Sequence, residues 1–273
     1  MACAAGLLVF PGGVRLTLVS TSAETGPPGT TRITPPHRPA FVTTHWSVVL
    51  TAAHSDTTQA RDALAKLCQN YWHPLYAYVR RRGYSPEDAE DLTQSFFAAL
   101  LERKAVSTVS PDKGRFRSFL LASLSHFLSD EWDKARAQKR GGGKVVSFDT
   151  QTAESWLDQV PSQNLTPEKA FEMRWAITLL EQVYRKLEEE HRQQGKTELF
   201  EVLRTTLAGP GNSAPYAELG QRLGQNEGAV KVAVHRLRQC YRALLRETIA
   251  ETVATEAEVD EELRYLLRIV AGG

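Results

Sequence analysis

The sequence predicts an all-α protein: two small helical domains joined by a flexible linker, the second containing a helix-turn-helix. Three observations lead there. Apolar residues recur at helical spacing over much of the chain, helix starts are written out as Ser-Pro-Glu and Thr-Pro-Glu, and no strand-like alternation of useful length occurs between Thr43 and Val270. No internal repeat of roughly 20 to 50 residues competes with this reading.

The elements follow in order. Residues 1–44 read as a disordered leader, because Pro11 to Pro39 is rich in Thr, Ser, Gly and Pro and has no sustained apolar period. Met1 to Phe10 is apolar, but no positive charge precedes it and Pro11, Gly12, Gly13 and Arg15 interrupt it early, which argues against a secretory signal. The first domain spans 45–140. Leu64, Leu67, Tyr71, Leu75 and Val79 make one helical stripe, and Ala89, Leu92, Phe96 and Leu100 a second. The second helix starts at Ser85-Pro86-Glu87-Asp88: serine caps, proline suits the first helical position, and the carboxylates favour the positive end of the dipole. After the turn-rich stretch Ser107 to Gly114, a long helix runs from about Arg115 to Arg140, with Phe116, Phe119, Leu120, Leu124, Phe127, Leu128 and Trp132 as its apolar surface.

Gly141-Gly142-Gly143 ends that helix and opens a polar linker, 141–165. The second domain, 166–248, begins at Thr166-Pro167-Glu168 and carries Phe171, Trp175, Leu179, Val183 and Leu187 on one face, then Leu199, Phe200, Leu203 and Leu207 after Gly195. From Tyr216 to Val230 the spacing is that of a helix-turn-helix. Gly220 lets two helices approach, Gly224 can take the left-handed conformation, Asn226 can cap, and Val230 plugs the corner. Val230, Val234, Leu237, Tyr241 and Leu244 form the buried stripe of the second helix, leaving Lys231, Val232, His235, Arg236 and Gln239 outward. Residues 249–273 are an acidic helical tail, with Glu251, Glu256, Glu258, Asp260, Glu261 and Glu262 ahead of Leu263, Leu266 and Leu267. Opposite charge suggests that this tail folds back on the basic helix before it.

Bulk composition narrows the function classes without choosing one. A net charge of +1 over 273 residues sets no strong partner, so charge distribution has to carry the case. Cys3, Cys68 and Cys240 form no CxxC pair or His cluster, which fits a reducing cytoplasm without zinc or a disulfide framework. No apolar run is long enough to span a bilayer. Gly141-Gly142-Gly143-Lys144 lacks the spacing of a phosphate loop and no HExxH occurs, so neither catalysis nor a cofactor is expected.

Two charged surfaces stand out. Between Gly228 and Arg246 lie five basic residues (Lys231, Arg236, Arg238, Arg242, Arg246) and no acid, which suits phosphate contact. Glu87, Asp91, Gln94 and Ser95 oppose the apolar stripe of the second helix, with Asp88 and Glu90 flanking. Such a face is either solvated or a docking surface for a basic partner.

Tyr76-Ala77-Tyr78-Val79-Arg80 followed by Gly83 to Phe97, and within it Glu87-Asp-Ala-Glu-Asp-Leu-Thr-Gln94, resembles the first conserved helices of sigma-70 family sigma factors of the extracytoplasmic-function type. Gly114 to Ala122 and Asp130 to Arg136 resemble that family's promoter-melting helix, and Tyr216 to Arg246 its promoter-reading C-terminal domain. The resemblance implies a non-enzymatic factor that binds core RNA polymerase, at the clamp helices of the largest subunit and at the flap, and directs it to promoter DNA. It assigns polymerase docking to Asp88, Asp91, Leu92, Gln94 and Ser95. Contacts to the minus-ten element fall to His126, Asp130, Lys134, Arg136, Lys139 and Arg140, and contacts to the minus-thirty-five element to Glu227, Lys231, Val232, His235, Arg236 and Arg238. An anti-sigma factor is a further partner of such proteins. The sequence departs from the family at Ala122 and Ser125, where arginine is frequent, at Asp133 beside the basic end, and at Val232 and Ala233 in the reading helix. A helix-turn-helix regulator acting without polymerase and a polymerase-docking adaptor that reads no promoter are the competing readings.

Overall fold

The computed structural model describes residues 8–9, 15–16, 58–102, 115–137, 165–208, 214–253 and 255–271. Eight α-helices occur among them: α1 Thr58–Arg81, α2 Pro86–Glu102, α3 Phe116–Ala137, α4 Pro167–Gln193, α5 Thr197–Leu203, α6 Tyr216–Leu223, α7 Glu227–Ala250 and α8 Val259–Val270. Short 3-10 turns cover Arg204–Ala208 and Glu256–Glu258. The fold is all-α, as the periodicity predicts. The one addition is a minimal antiparallel ribbon in the leader, Leu8 opposite Leu16 and Val9 opposite Arg15. The linker 141–165 lies, apart from Leu165, outside the described residues.

Two compact units divide the chain at Tyr184/Arg185, inside α4, and at Leu244/Leu245, inside α7. The larger contains residues 43–184 and 245–269, so the first two thirds of α4 and most of the acidic tail join the domain formed by α1, α2 and α3. Its centre is α1. Tyr71, Trp72, Leu75, Tyr76, Ala77, Tyr78 and Val79 are all buried, so over this window the helix is covered on every side rather than along one stripe. The same unit also buries Phe96, Phe97, Phe116, Leu120, Leu124, Phe127 and Leu128, together with Phe171, Trp175, Leu179 and Leu266. Each fully buried Leu or Phe contributes about 1.5–3 kcal/mol. Edge-on ring contacts at 5.5 Å between Tyr71 and Phe116, and at 5.7 Å between Phe96 and Phe127, fix the packing of α1 and α2 on α3. Burial pushes the Cys68 thiol up to about 11, which leaves it inert, and neither Cys68 nor Cys240 is in a disulfide.

The local starts are built as the sequence indicates. Ser85 Oγ accepts the Asp88 N–H at 3.1 Å and donates to the Asp88 carboxylate at 2.7 Å, closing the first turn of α2. Thr166 Oγ1 accepts the Lys169 N–H at 3.3 Å to open α4. The smaller unit contains 185–244 with 1–42 and 270–273. Its described core is Leu187, Phe200, Val202, Leu203, Leu219, Val230, Val234, Leu237, Tyr241 and Leu244.

Candidate functional site

The first candidate surface is the outward side of α2. Ala89, Thr93, Phe96, Phe97 and Leu100 are buried, while Asp88, Asp91 and Ser95 are exposed and Gln94 is half-buried. The inward stripe therefore differs from the expected one: Leu92 is half-buried at its edge and Thr93 takes a core position. Thr93 is tolerated there because its hydroxyl donates to the Ala89 carbonyl at 2.7 Å, leaving no polar atom unsatisfied. Leu92 is thus an apolar element beside the carboxylates rather than a core residue. Gln94 Nε2 donates to Glu90 at 3.1 Å, which orders the middle of the face. The result is a surface of carboxylates around one aliphatic side chain, whose charge suits a basic protein and repels nucleic acid.

The second surface is on α3. Phe116, Leu120, Leu124, Phe127 and Leu128 face the core, and His126, Ser129, Asp130 and Trp132 are exposed. Trp132 keeps 55% of its surface open. It is the one large aromatic that this helix offers outward among the described residues, and sequence reasoning passed over it by grouping it with the core aromatics. Lys134 and Arg136 belong to α3, but their side chains, like Lys139 and Arg140 altogether, lie outside the described residues.

At the start of the same helix stands a cluster that was not foreseen. Arg117 is buried, with its guanidinium 4.6 Å from the Trp175 ring centre and 4.5 Å from that of Tyr265, and it pairs with the buried Glu262. Arg115 lies 2.8 Å from Glu262 and 3.2 Å from Glu261. Burial, and then the charge of Arg115, lower the pKa of Arg117, with Tyr265 and Tyr71 acting in the opposite direction. The Glu262 carboxylate supplies the paired negative charge. Sequence reasoning sent the tail acids to the basic helix. The structure pairs Glu261 and Glu262 with the arginines that open α3, while Asp260 does meet the basic helix, at Arg246 of α7.

The third surface is the turn between α6 and α7 with the exposed side of α7. Gly224 has φ 62°, and a Cβ on Gly220 would stand 2.6 Å from the Gln225 carbonyl oxygen. The first glycine supplies a dihedral angle and the second supplies space. Asn226 Oδ1 accepts the Ala229 N–H at 2.8 Å, and Val230 is fully buried in the corner. Beyond it Glu227, Lys231, Val232, His235 and Arg236 are exposed, Val232 at 50%. Lys231 is 2.8 Å from Glu227, and that hydrogen bond raises its pKa. Arg238 departs from expectation. Its guanidinium donates to the Thr206 carbonyl at 2.8 and 3.3 Å, tying α7 to the 3-10 turn, because a half-buried fork finds an unpaired helix-end carbonyl there.

Among the described residues no helix is long and apolar enough to cross a membrane, and no group of three or more His, Cys, Asp or Glu could hold a metal ion. Residues 67–138, which contain the acidic face of α2 and the whole of α3, match the family model of sigma-70 region 2. No curated protein and no solved structure matches the chain.

Proposed function

We propose, taking the region 2 match over 67–138 as the premise, that the chain is a sigma factor of the sigma-70 family, of the extracytoplasmic-function type, acting in the cytoplasm. In this reading it binds core RNA polymerase through Asp88, Asp91, Leu92, Gln94 and Ser95 on the outer side of α2. His126, Asp130 and the basic end of α3 hold the separated minus-ten strand, with Trp132 as the stacking surface. Glu227, Lys231, Val232, His235 and Arg236 on α7 read the minus-thirty-five element, and Arg238 acts as a brace. The match supports a role in polymerase binding and transcription initiation. The single observation that carries the reading is that an exposed carboxylate face and a helix with an outward tryptophan lie together inside the matched segment.

The chemistry agrees with the assignment. A carboxylate face complements cationic clamp helices, single-strand capture needs an aromatic face and polar partners, and duplex reading needs a cationic helix with side chains clear of the core. An apolar Val232 suits a thymine methyl group. A polymerase-docking adaptor that reads no promoter is a second reading, favoured by the engagement of Lys231 with Glu227 and of Arg238 with Thr206.

Reconstitution with core polymerase and a promoter library tests both. A sigma factor yields promoter-dependent run-off transcripts; an adaptor binds polymerase and yields none. Asp91→Lys is expected to abolish core binding, and Arg236→Ala to weaken promoter binding by about tenfold while sparing core binding. Equal losses in both assays would refute this division of labour.

A further inference from the structure

We propose that Glu262 and Tyr265 of α8 are positioning residues for α3: they lock its first turn so that the exposed face carrying His126, Asp130 and Trp132 is held at a fixed rotation for strand separation. This rests on the sigma-factor reading above.

The charges at the start of α3 are misplaced for that helix alone. Arg115 and Arg117 stand at its start, where the helix dipole is positive and cations are unfavourable. Arg117 is 5% exposed, so its charge does not serve a phosphate. Glu262 is equally strange on α8, as a carboxylate with no exposed surface. Each is tolerated only because of the other. Glu261 and Glu262 sit in the first turn of α8, the favourable end for acids, and there they meet both arginines.

Tyr265 completes the lock. Its ring lies 4.5 Å from the guanidinium of Arg117 and 5.3 Å from that of Arg115, and its hydroxyl donates to Glu172 on α4. Trp175, one turn along α4 from Glu172, closes the other side of Arg117 at 4.6 Å. The first turn of α3 is therefore gripped by α4 and α8 together, while Phe116 between the two arginines is fully buried against Tyr71. A helix transmits such a constraint along its axis. Asp130 lies thirteen residues from Arg117, about 20 Å at 1.5 Å per residue, and a slip of one residue at the start turns its face by about 100°. Holding the start fixes where the strand-facing side chains point.

The experiment uses the full chain with core polymerase and a promoter on which the wild type gives run-off transcript, presented once as duplex and once with its minus-ten segment pre-opened by mismatches. Tyr265→Leu removes the ring from both arginines and leaves the Arg117–Glu262 pair in place. It is expected to lower transcription from duplex by about tenfold and from the pre-opened template by no more than about twofold. Tyr265→Phe keeps the ring over both arginines and loses the hydroxyl's hydrogen bonds to Glu172 and Arg117, and should follow the wild type on both templates. Arg115→Gln, at a position that is a quarter exposed, should show the same split more weakly and serves if Tyr265→Leu does not fold. Equal loss on both templates, no loss, or a gain from duplex overturns the proposal. A wild-type chain silent on both templates across a promoter library overturns the sigma-factor reading itself.

Discussion

Gly220 and Gly224 answer different demands of the same turn, and substitution separates them. Gly220→Ala drives a methyl group against the Gln225 carbonyl oxygen at 2.6 Å and should cost about 1–3 kcal/mol. Gly224→Ala meets open space and costs only the left-handed conformation, about 1–2 kcal/mol. Urea unfolding of the two variants should rank them in that order. Both roles were legible from sequence, as was the Asn226 cap, because each is decided within a few residues of chain. Arg238 and Glu262 were not. One binds a backbone carbonyl thirty-two positions away, and the other answers arginines on α3. Charge sign names a candidate partner class but not a partner, which is why Glu261 and Glu262 were assigned to the basic helix, where of the tail acids in these ion pairs Asp260 alone is found. Removing Glu262 strands the buried Arg117 cation, so Glu262→Ala should destabilise the chain by about 3–5 kcal/mol. Glu227→Ala, which breaks an exposed pair with Lys231, should leave the unfolding midpoint unchanged.

At the level of elements, helix starts were read well and helix faces less well. The Ser85 and Thr166 caps appear where their sequences place them, since capping is a contest between neighbouring groups. The face of α1 was read as a single stripe, yet Trp72, Tyr76 and Tyr78 outside that stripe are no more than 2% exposed. Aromatics on every side of one short window were the available signal that this helix is central. The end of α4 offers a test of local electrostatics. Glu189 accepts two hydrogen bonds from Arg192 and one from Gln193, each at 2.7 Å, and the first of these partners leads in holding its pKa down at about 2. The folded value lies below the ordinary 4.5, so the stabilisation is in place above pH 4.5 and is lost as pH falls through 2. Following the Glu189 carboxyl by NMR should show a midpoint near 2, and Arg192→Ala should move it up toward 4.5.

For the molecule as a whole, the fold class was legible, and the two compact units cut across the boundaries that periodicity suggests. Periodicity counts apolar residues along one element, whereas membership of a core depends on which distant element covers it. Residues 165–184 and 245–269 belong with α1, α2 and α3, and Tyr71 and Arg117 both rely on Trp175 from that added material. A fragment comprising 43–140 should therefore melt at a lower temperature than the same helices in the full chain, and bind a hydrophobic dye. Adding residues 166–273 in trans should raise the melting temperature and release the dye. The same arrangement sets a schedule during synthesis. The segment carrying the carboxylate face of α2 leaves the ribosome early, but its core stays incomplete until Glu262, Tyr265 and Leu266 have followed. Ordering by contacts this distant in sequence is slow. If the carboxylate face of α2 docks on polymerase as proposed, a truncated translation product that already carries it would reach polymerase without a seated α3, and would compete for it as a defective version of the finished protein.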